Sequence, residues 1–358
     1  MDLLVKRDAL HETRLTDEPP PALADGEARL RIDAFALTAN NITYAVFGEA
    51  MGYWNFFHAP EGWGRIPVWG FADVVESAVP GLVEGDRFYG YVPMSEELVV
   101  TPIDVGERGF TDGAAHRSAM AATYNQYART SADPDLGPAH EDAQMLLRPL
   151  FLTGFLIDDH LADNDRFGAS SVILTSASSK TAAGAAFFLA EREGLEVVGL
   201  TSPAHRAFVE GLGVYDRVLG YDEVDGLPGG RAVLVDVAGS ADARAAVHRH
   251  YGDDLARSVL VGGTHWDEQA SPDARGPLPG PAPAMFFAPD QITKRTAEWG
   301  PGGFAERVRA AWSRAVAWSD GWLQVEHGRG PEAVQATYRE VLAGRTAPSS
   351  GHVLSMAR

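Results

Sequence analysis

Ser171-Val172-Ile173-Leu174-Thr175-Ser176-Ala177-Ser178-Ser179-Lys180-Thr181-Ala182-Ala183-Gly184 is the stretch that decides how this chain is read. Its first five residues form a short apolar, β-branched run of the kind buried on both faces of a parallel sheet. Small and hydroxyl residues follow, and residues 181–193 then carry Ala and Phe at most positions, a helix pattern. Strand, small-residue turn and helix in that order begin a βαβ unit. Residues 195–200, 215–219, 231–237, 258–262 and 284–287 read as further strands, with a helix over 204–212 between the first two. Strands alternating with helices at this spacing predict right-handed crossovers and a doubly wound parallel sheet, an α/β fold.

The flanks differ. Ala28–Leu37 alternates small or apolar with polar residues at period two, the mark of a strand with one buried face. Residues 73–77 and 87–92 read as strands too, with turn chemistry at Pro80-Gly81 and Glu84-Gly85-Asp86 between them. The first hundred residues therefore predict a small β-rich domain. Further on come a helix over 304–318, a strand over 322–326, a helix over Pro331–Leu342 and a final strand over 352–356. The stretch 272–283, rich in Pro and Gly, reads as a surface loop, either a plain connection or a lid. Residues 106–143 are polar and find no evident place in either domain.

A length of 358 residues suits two domains, and 45% hydrophobic with 22% charged residues suits a folded core. Thirty Lys and Arg against 49 Asp and Glu leave a formal charge of −19. A surface that negative repels phosphate backbones and anionic lipid, so neither a nucleic acid nor a membrane is expected as a partner. A local basic pocket is still compatible with it. Cysteine is absent, which removes disulfides, thiolate nucleophiles and cysteine zinc sites. Histidines are scattered, and His248-Arg249-His250 would splay its side chains around a helix, so no metal is expected. No apolar run reaches 18 residues, and Met1–Asp8 lacks the basic-then-apolar pattern of a secretion signal. The expectation is a cytoplasmic protein.

The order of elements, β-rich then βαβ then β again, joins several local motifs. These are Thr43-Tyr44, Ile66-Pro67-Val68-Trp69-Gly70, Val79-Pro80-Gly81-Leu82-Val83-Glu84-Gly85-Asp86-Arg87, Leu212-Gly213-Val214-Tyr215-Asp216 and Gly351-His352-Val353-Leu354. Together they resemble the medium-chain dehydrogenase/reductase superfamily, and within it the zinc-free quinone oxidoreductase and enoyl reductase branch. The resemblance spans nearly the whole chain, with 106–143 as an apparent insertion. Met51-Gly52-Tyr53-Trp54-Asn55-Phe56-Phe57 and Phe286-Phe287-Ala288-Pro289-Asp290 are similar to an uncharacterised offshoot of that superfamily. The resemblance implies a GroES-like β-rich domain over 1–150 and 295–358, a Rossmann domain over 151–294 and, by analogy, a homodimer. Gly85-Asp86-Arg87 reads as a turn that shapes the β-rich domain and carries no chemistry.

A dinucleotide needs a strand, a tight turn of very small residues and a helix N-terminus whose N–H groups meet the diphosphate. Compared with the superfamily, Lys180 and Thr181 stand where glycines are usual, while Ala177 and Ala183 stay small enough for the outer two roles. Two readings follow. Ser178, Ser179 and Thr181 hydroxyls with the Lys180 ammonium could hold phosphate directly, or their side chains could fill the cleft. At the end of the second strand no carboxylate stands ready for a ribose 2′-hydroxyl. Thr201, Ser202 and Arg206 instead favour a 2′-phosphate, so NADPH is the expected cofactor. Ser202 could equally cap the next helix.

For the chemistry, Tyr44 aligns with a tyrosine at the active-site mouth of the reductase branch and could donate to a carbonyl or enolate oxygen. Asn41 and His58 are further polar candidates, while Ile42 replaces the branch's aspartate. Tyr53, Trp54, Phe57, Trp69 and Phe287 could wall an apolar substrate pocket, and Arg148 could hold a carboxylate. Each has a plainer reading as packing or surface pairing. The expected function is NADPH-dependent reduction of a C=C or C=O bond in an apolar enone, quinone or enoyl thioester, the partner being a small apolar or aromatic molecule. Two alternatives remain: a redox-inactive member of the fold that binds a ligand or partner, and a lyase-like enzyme using the same aromatic pocket.

Overall fold

The structure, a computed structural model, describes residues 1–18, 21–133, 137–262 and 278–358. Two units emerge, one of Met1–Pro149 with Gln324–Arg358 and one of Leu150–Leu323. Period-two alternation in the first unit becomes β1 (Asp2–Lys6), β2 (Ala9–Thr16) and β3 (Ala28–Leu37). In β3, Leu30 and Ile32 are buried while Arg31 and Asp33 face water. Helix α1 (Ala39–Val46) follows, then β4 (Trp63–Gly64), β5 (Pro67–Ser77), β6 (Arg87–Pro93) and β7 (Glu97–Val100). Between β5 and β6, Gly85 has φ +88°, which the expected turn requires. Arg87 beyond it binds Glu141 through two contacts of 2.8 Å, with Asp73 at 2.9 Å and Asp33 at 2.8 Å.

The polar stretch 106–143 has a place after all. β8 (Pro102–Gly106), β9 (Gly109–Asp112) and β10 (Gln126–Arg129) extend the large sheet beyond β6. Its polar residues serve a buried interior: Arg117, 1% exposed, binds Asp112 and the Tyr127 hydroxyl and lies over Phe56 and Phe57. Residues 134–136 of this stretch lie outside the described residues. Helix α2 (Glu141–Asp163) then runs out of the first unit, with Arg148 in its interior.

In the second unit the elements are β11 (Ser171–Leu174), α3 (Lys180–Leu189), β12 (Glu196–Thr201), α4 (Arg206–Gly211), β13 (Arg217–Gly220) and β14 (Ala232–Asp236). Next come α5 (Ala241–Tyr251), β15 (Leu255–Leu260), β16 (Ala284–Met285) and α6 (Ala288–Ser319). All six strands are parallel in the order β13-β12-β11-β14-β15-β16, the strand order of a doubly wound dinucleotide-binding sheet. Alternate residues of the apolar runs cover opposite faces. Val172, Leu174 and Val197 pack with Ala182, Ala185 and Ala186 of α3, whereas Ile173, Val198 and Leu234 pack with Val247 and Tyr251 of α5. Two-sided burial explains why these strands carry no polar alternation.

β17 (Gln324–Arg329), α7 (Pro331–Leu342) and β18 (Ser350–Ser355) return to the first unit, whose large sheet runs β17-β18-β3-β5-β6-β10-β9-β8 with β7 also on β3. The return falls at Gln324 and not at 295. Helix α6 stays with the second unit because Trp312 and Trp318 pack on Phe151 and Trp318 on Phe187. Its first half was hidden by Gly300-Pro301-Gly302-Gly303, where Gly300 at φ +73° interrupts the helix. The Pro- and Gly-rich stretch from 272 lies, up to 277, outside the described residues. No described helix is long and apolar enough to cross a membrane.

Candidate functional site

Strands β11 and β14 are neighbours at the point where the strand order reverses, the place where ligands of such sheets bind. Thr175, fully buried, donates to Asp236 Oδ1 at 2.7 Å and accepts the N–H groups of Val237 and Ala238 at 2.9 Å each. Asp236, also fully buried, accepts from Gly239 N–H at 3.0 Å and from Arg244 Nη1 at 2.8 Å, which balances its charge. The following turn is tight without glycine. Ser176 takes φ +51°, and its N–H donates to the Tyr221 hydroxyl at 2.9 Å. The Tyr215 hydroxyl donates to Ala177 O at 2.9 Å, and Gly199 of β12 leaves room for the Ala177 methyl group.

Helix α3 opens on Ser179, whose Oγ accepts the Ala182 N–H at 3.2 Å. Lys180 and Thr181 occupy its first turn, where backbone N–H groups lack intrahelical partners and anions are favoured. Loss of water around the Lys180 ammonium lowers its pKa to about 8. The Ser178 hydroxyl lies 3.1 Å from Nδ1 of His205, in the short turn Pro203–His205 after β12. Thr201, at the end of β12, is buried and its Oγ1 has no partner among the described residues. An underhydrated cation and an orphaned hydroxyl beside a helix entrance both gain from a bound phosphate and sugar, so these residues fit a dinucleotide.

Arg206 is a correction. Its guanidinium binds Glu223 (3.3 and 2.6 Å), Val218 O (2.9 Å) and, one turn on, Glu210 (3.4 Å). Glu223 also accepts the Gly220 N–H at 2.7 Å. The expected phosphate ligand is thus neutralised by the protein's own carboxylates, and His205, which sequence reasoning passed over, stands beside Ser178 instead. Ser202 opens the short turn with no side-chain cap bond.

In the first unit, Tyr44 on α1 packs its ring 4.6 Å from Tyr53 and 5.6 Å from Tyr91. Phe56, Phe57, Trp69 and Tyr124 complete this aromatic group. The Tyr91 hydroxyl and the Trp69 indole N–H are buried beside the Tyr44 hydroxyl. Burial raises the pKa of Tyr44, Tyr53, Tyr91 and Tyr124, so all four phenols stay neutral donors near pH 7. Tyr44, Tyr53, Phe57 and Trp69 are therefore brought together as expected. Tyr91 and Tyr124 were missed. The first lies in the strand read over 87–92, whose residues after Arg87 are all buried, while the second sits in a stretch with no readable pattern.

Five other candidates stand elsewhere. Asn41 is consumed by capping: Oδ1 accepts from Thr38 N–H (2.8 Å) and Oγ1 (3.2 Å), and Nδ2 donates to Pro67 O (2.9 Å). Trp54 fills space left by Gly48 and Gly64 under Arg7, away from the tyrosines. His58 is exposed and rests on His116, ring centroids 4.1 Å apart. Phe287 caps α6 in the second unit. Arg148 reaches Gln144 Oε1 at 3.4 Å, near Tyr89, whose hydroxyl donates to Gln144 O. Among the described residues no group of three His, Asp or Glu could hold a metal ion.

The model of a family described as "Protein of unknown function (DUF2855)" matches residues 35–347. No curated protein matches the sequence. Among solved structures, the chain is similar to CurA from Vibrio vulnificus in complex with NADPH, at 14% identity over 97% of this chain and 94% of that one, with a TM-score of 0.62. Mycobacterial Rv1454c complexed with NADPH is similar at 16% identity over 99% of both chains, TM-score 0.56. A mutant enoyl thioester reductase from Candida tropicalis follows at 12% identity over 99% and 98%, TM-score 0.55. At these identities the likeness establishes the fold: a GroES-like unit and a Rossmann unit, as the motifs of the medium-chain superfamily implied.

Proposed function

The chain belongs to the DUF2855 family, and from that premise we propose that it is an NADPH-dependent reductase of a C=C or C=O bond in an apolar enone, quinone or enoyl thioester. The observation that carries this reading is the entrance to α3. There a helix N-terminus, the hydroxyls of Ser178, Ser179 and Thr181, and the underhydrated Lys180 converge at the switch point of a parallel sheet. Ser178–Thr181 would hold the diphosphate, while Thr201, Ser202 and His205 would meet the ribose and its 2′-phosphate. NADPH supplies a hydride when bound. The similarity to two structures complexed with NADPH supports the same cofactor.

Neutral phenols and apolar rings around Tyr44 exclude water, and the Tyr44 hydroxyl would donate to the acceptor oxygen as charge builds there. Its donation is the proton-handling step assigned to this chain. A homodimer in the cytoplasm belongs to the same proposal.

Titration with NADPH tests it, read by tryptophan-to-nicotinamide energy transfer and by the melting temperature, with loss of 340 nm absorbance on adding 1,4-naphthoquinone or an enone. Binding followed by oxidation supports the reductase. A second reading, a redox-inactive ligand binder, is favoured by Lys180 and Thr181 at positions where glycines are usual, and it predicts binding without oxidation. No binding at millimolar nucleotide would remove both cofactor readings.

A further inference from the structure

We infer that the second unit carries a site for a small aromatic or branched monocarboxylate, at the sheet edge bounded by β15, β16, the end of α2 and the start of α6. The cavity there measures about 160 Å³. An apolar cavity of roughly 150 Å³ takes up a benzene ring, whereas drug-sized ligands need about 300 Å³ or more, so the space suits one ring and a head group. Phe286, Phe287, Val259 and Met285 supply apolar walls, and Arg257, His160, Asp290 and Gln291 the polar ones.

Arg257 gives the site its sign. Its Nε is buried with no hydrogen-bond partner among the described residues, and its guanidinium lies 5.7 Å over the Phe167 ring. The neighbouring cations are treated differently. Arg295 is held by Asp159, Asp163 and Glu298, and Lys294 by Asp163, so those carboxylates are spent on other bases. A buried donor left unmade is costly, and a guanidinium matches a carboxylate through two parallel bonds.

The remaining lining restricts the anion. His160, its ring 5.9 Å from Phe167 and 5.7 Å from Phe286, loses affinity for its proton through burial and through Arg257 and Lys294. It therefore offers hydrogen bonds near pH 7 and no second positive charge. Asp290, exposed in the first turn of α6, adds a negative charge to the lining. One guanidinium facing one carboxylate leaves no surplus charge for a phosphate dianion, which selects a monoanion. None of the residues assigned to the nucleotide takes part, so this site stands whether or not the chain is a reductase.

Calorimetry and saturation-transfer NMR on the full chain, with benzoate as probe and benzamide as its neutral isostere, test the assignment. Benzoate should bind one per chain, about tenfold or more tighter than benzamide, the worth of a charge-assisted hydrogen bond. Arg257→Gln should weaken benzoate by a similar factor, and Ala284→Leu, which fills the cavity with Arg257 in place, should do the same. Lys180→Ala should leave benzoate affinity unchanged. Equal affinity for benzoate and benzamide, an unaffected Arg257→Gln protein, displacement of bound benzoate by equimolar inorganic phosphate, or loss of binding in Lys180→Ala would each overturn it.

Discussion

The Thr175 hydroxyl donates to the Asp236 carboxylate at 2.7 Å, pinning the carboxyl ends of β11 and β14 together where the strand order reverses. Thr175 is thereby both the last residue before the turn into α3 and the partner that keeps a fully buried carboxylate satisfied. Thr175→Val keeps the shape and removes the hydroxyl, leaving Asp236 and two backbone N–H groups short of a partner. Urea unfolding should show a loss of about 2–4 kcal/mol, and Thr175→Ser should recover most of it. A Thr175→Val protein within 0.5 kcal/mol of the parent, a difference typical of neutral surface changes, would show that water takes over the hydroxyl's role.

Lys180 links the same turn to pH. Its ammonium has a pKa of about 8 in the folded chain against 10.5 as the ordinary value. Between those values the unfolded chain holds a proton that the folded chain has released. Stability should therefore rise with pH across that window, and the cost of the buried charge is present in full below pH 8. A diphosphate at the α3 entrance favours the charged form and raises the pKa again. NADPH binding near pH 8.5 should then take up protons, read by calorimetry in two buffers of different ionisation heat. Lys180→Met should abolish the uptake and weaken NADPH by roughly tenfold or more. Wild-type binding with no proton uptake would mean that the ammonium does not face the phosphates.

Arg206 and Glu223 make the preference for the 2′-phosphate testable from both sides. Because Glu223 holds the guanidinium at 2.6 Å, Arg206→Ala should change the ratio of NADPH to NADH affinity by about twofold at most, within the range of an exposed ion pair. Glu223→Gln frees the guanidinium and should raise that ratio severalfold, while His205→Ala should lower it. Isothermal titration with each nucleotide decides. A collapse of the ratio in Arg206→Ala would show that Arg206 leaves Glu223 for the phosphate.

The legible part of the fold follows from periodicity. Ala28–Leu37 and Pro331–Leu342 have the predicted bounds, because a one-sided strand and an amphipathic helix print their burial directly on the sequence. The strands of the second unit were visible for a different reason, as short runs without alternation, because most of them are buried on both faces. What stayed hidden depends on pairings distant in sequence. Arg117 reads as a surface base until Asp112 and Tyr127 close around it, and Arg206 reads as a phosphate ligand until Glu223 claims it. Asn41 reads as a polar active-site residue, yet its bonds to Thr38 are those of a capping box, which its spacing already allowed.

Tyr44 should behave as a neutral donor over the whole accessible range. Desolvation raises its pKa above the usual 10, so turnover of a quinone or enone should show no loss attributable to a phenol below pH 10. Tyr44→Phe keeps the ring packed on Tyr53 and Tyr91 and removes only the hydroxyl. The expected result is a fall in kcat of about 10²-fold with KM little changed, the scale seen when one donor to a developing oxyanion is removed. A variant that loses affinity for the acceptor and keeps kcat would make the hydroxyl a binding contact.

Gly154 on α2 sets how closely α2 and α3 pack. A Cβ there would lie 2.5 Å from the Ala185 nitrogen and 2.6 Å from the Gly184 carbonyl carbon, both main-chain atoms of α3. Main chain cannot swing aside as a flexible side chain does, so the two helices must part. Replacing glycine by alanine inside a helix normally gains about 1 kcal/mol, while forcing a methyl group into a packed contact costs about 1–3 kcal/mol. Gly154→Ala should therefore be destabilising overall in thermal unfolding. Its second effect separates crowding from propensity: α3 moves with its N-terminus, so NADPH affinity should fall although Gly154 is not among the residues assigned to the nucleotide. A Gly154→Ala protein with raised melting temperature and intact affinity would show that the helices separate freely at this crossing and that the small residues of α3 serve only the sheet beneath it.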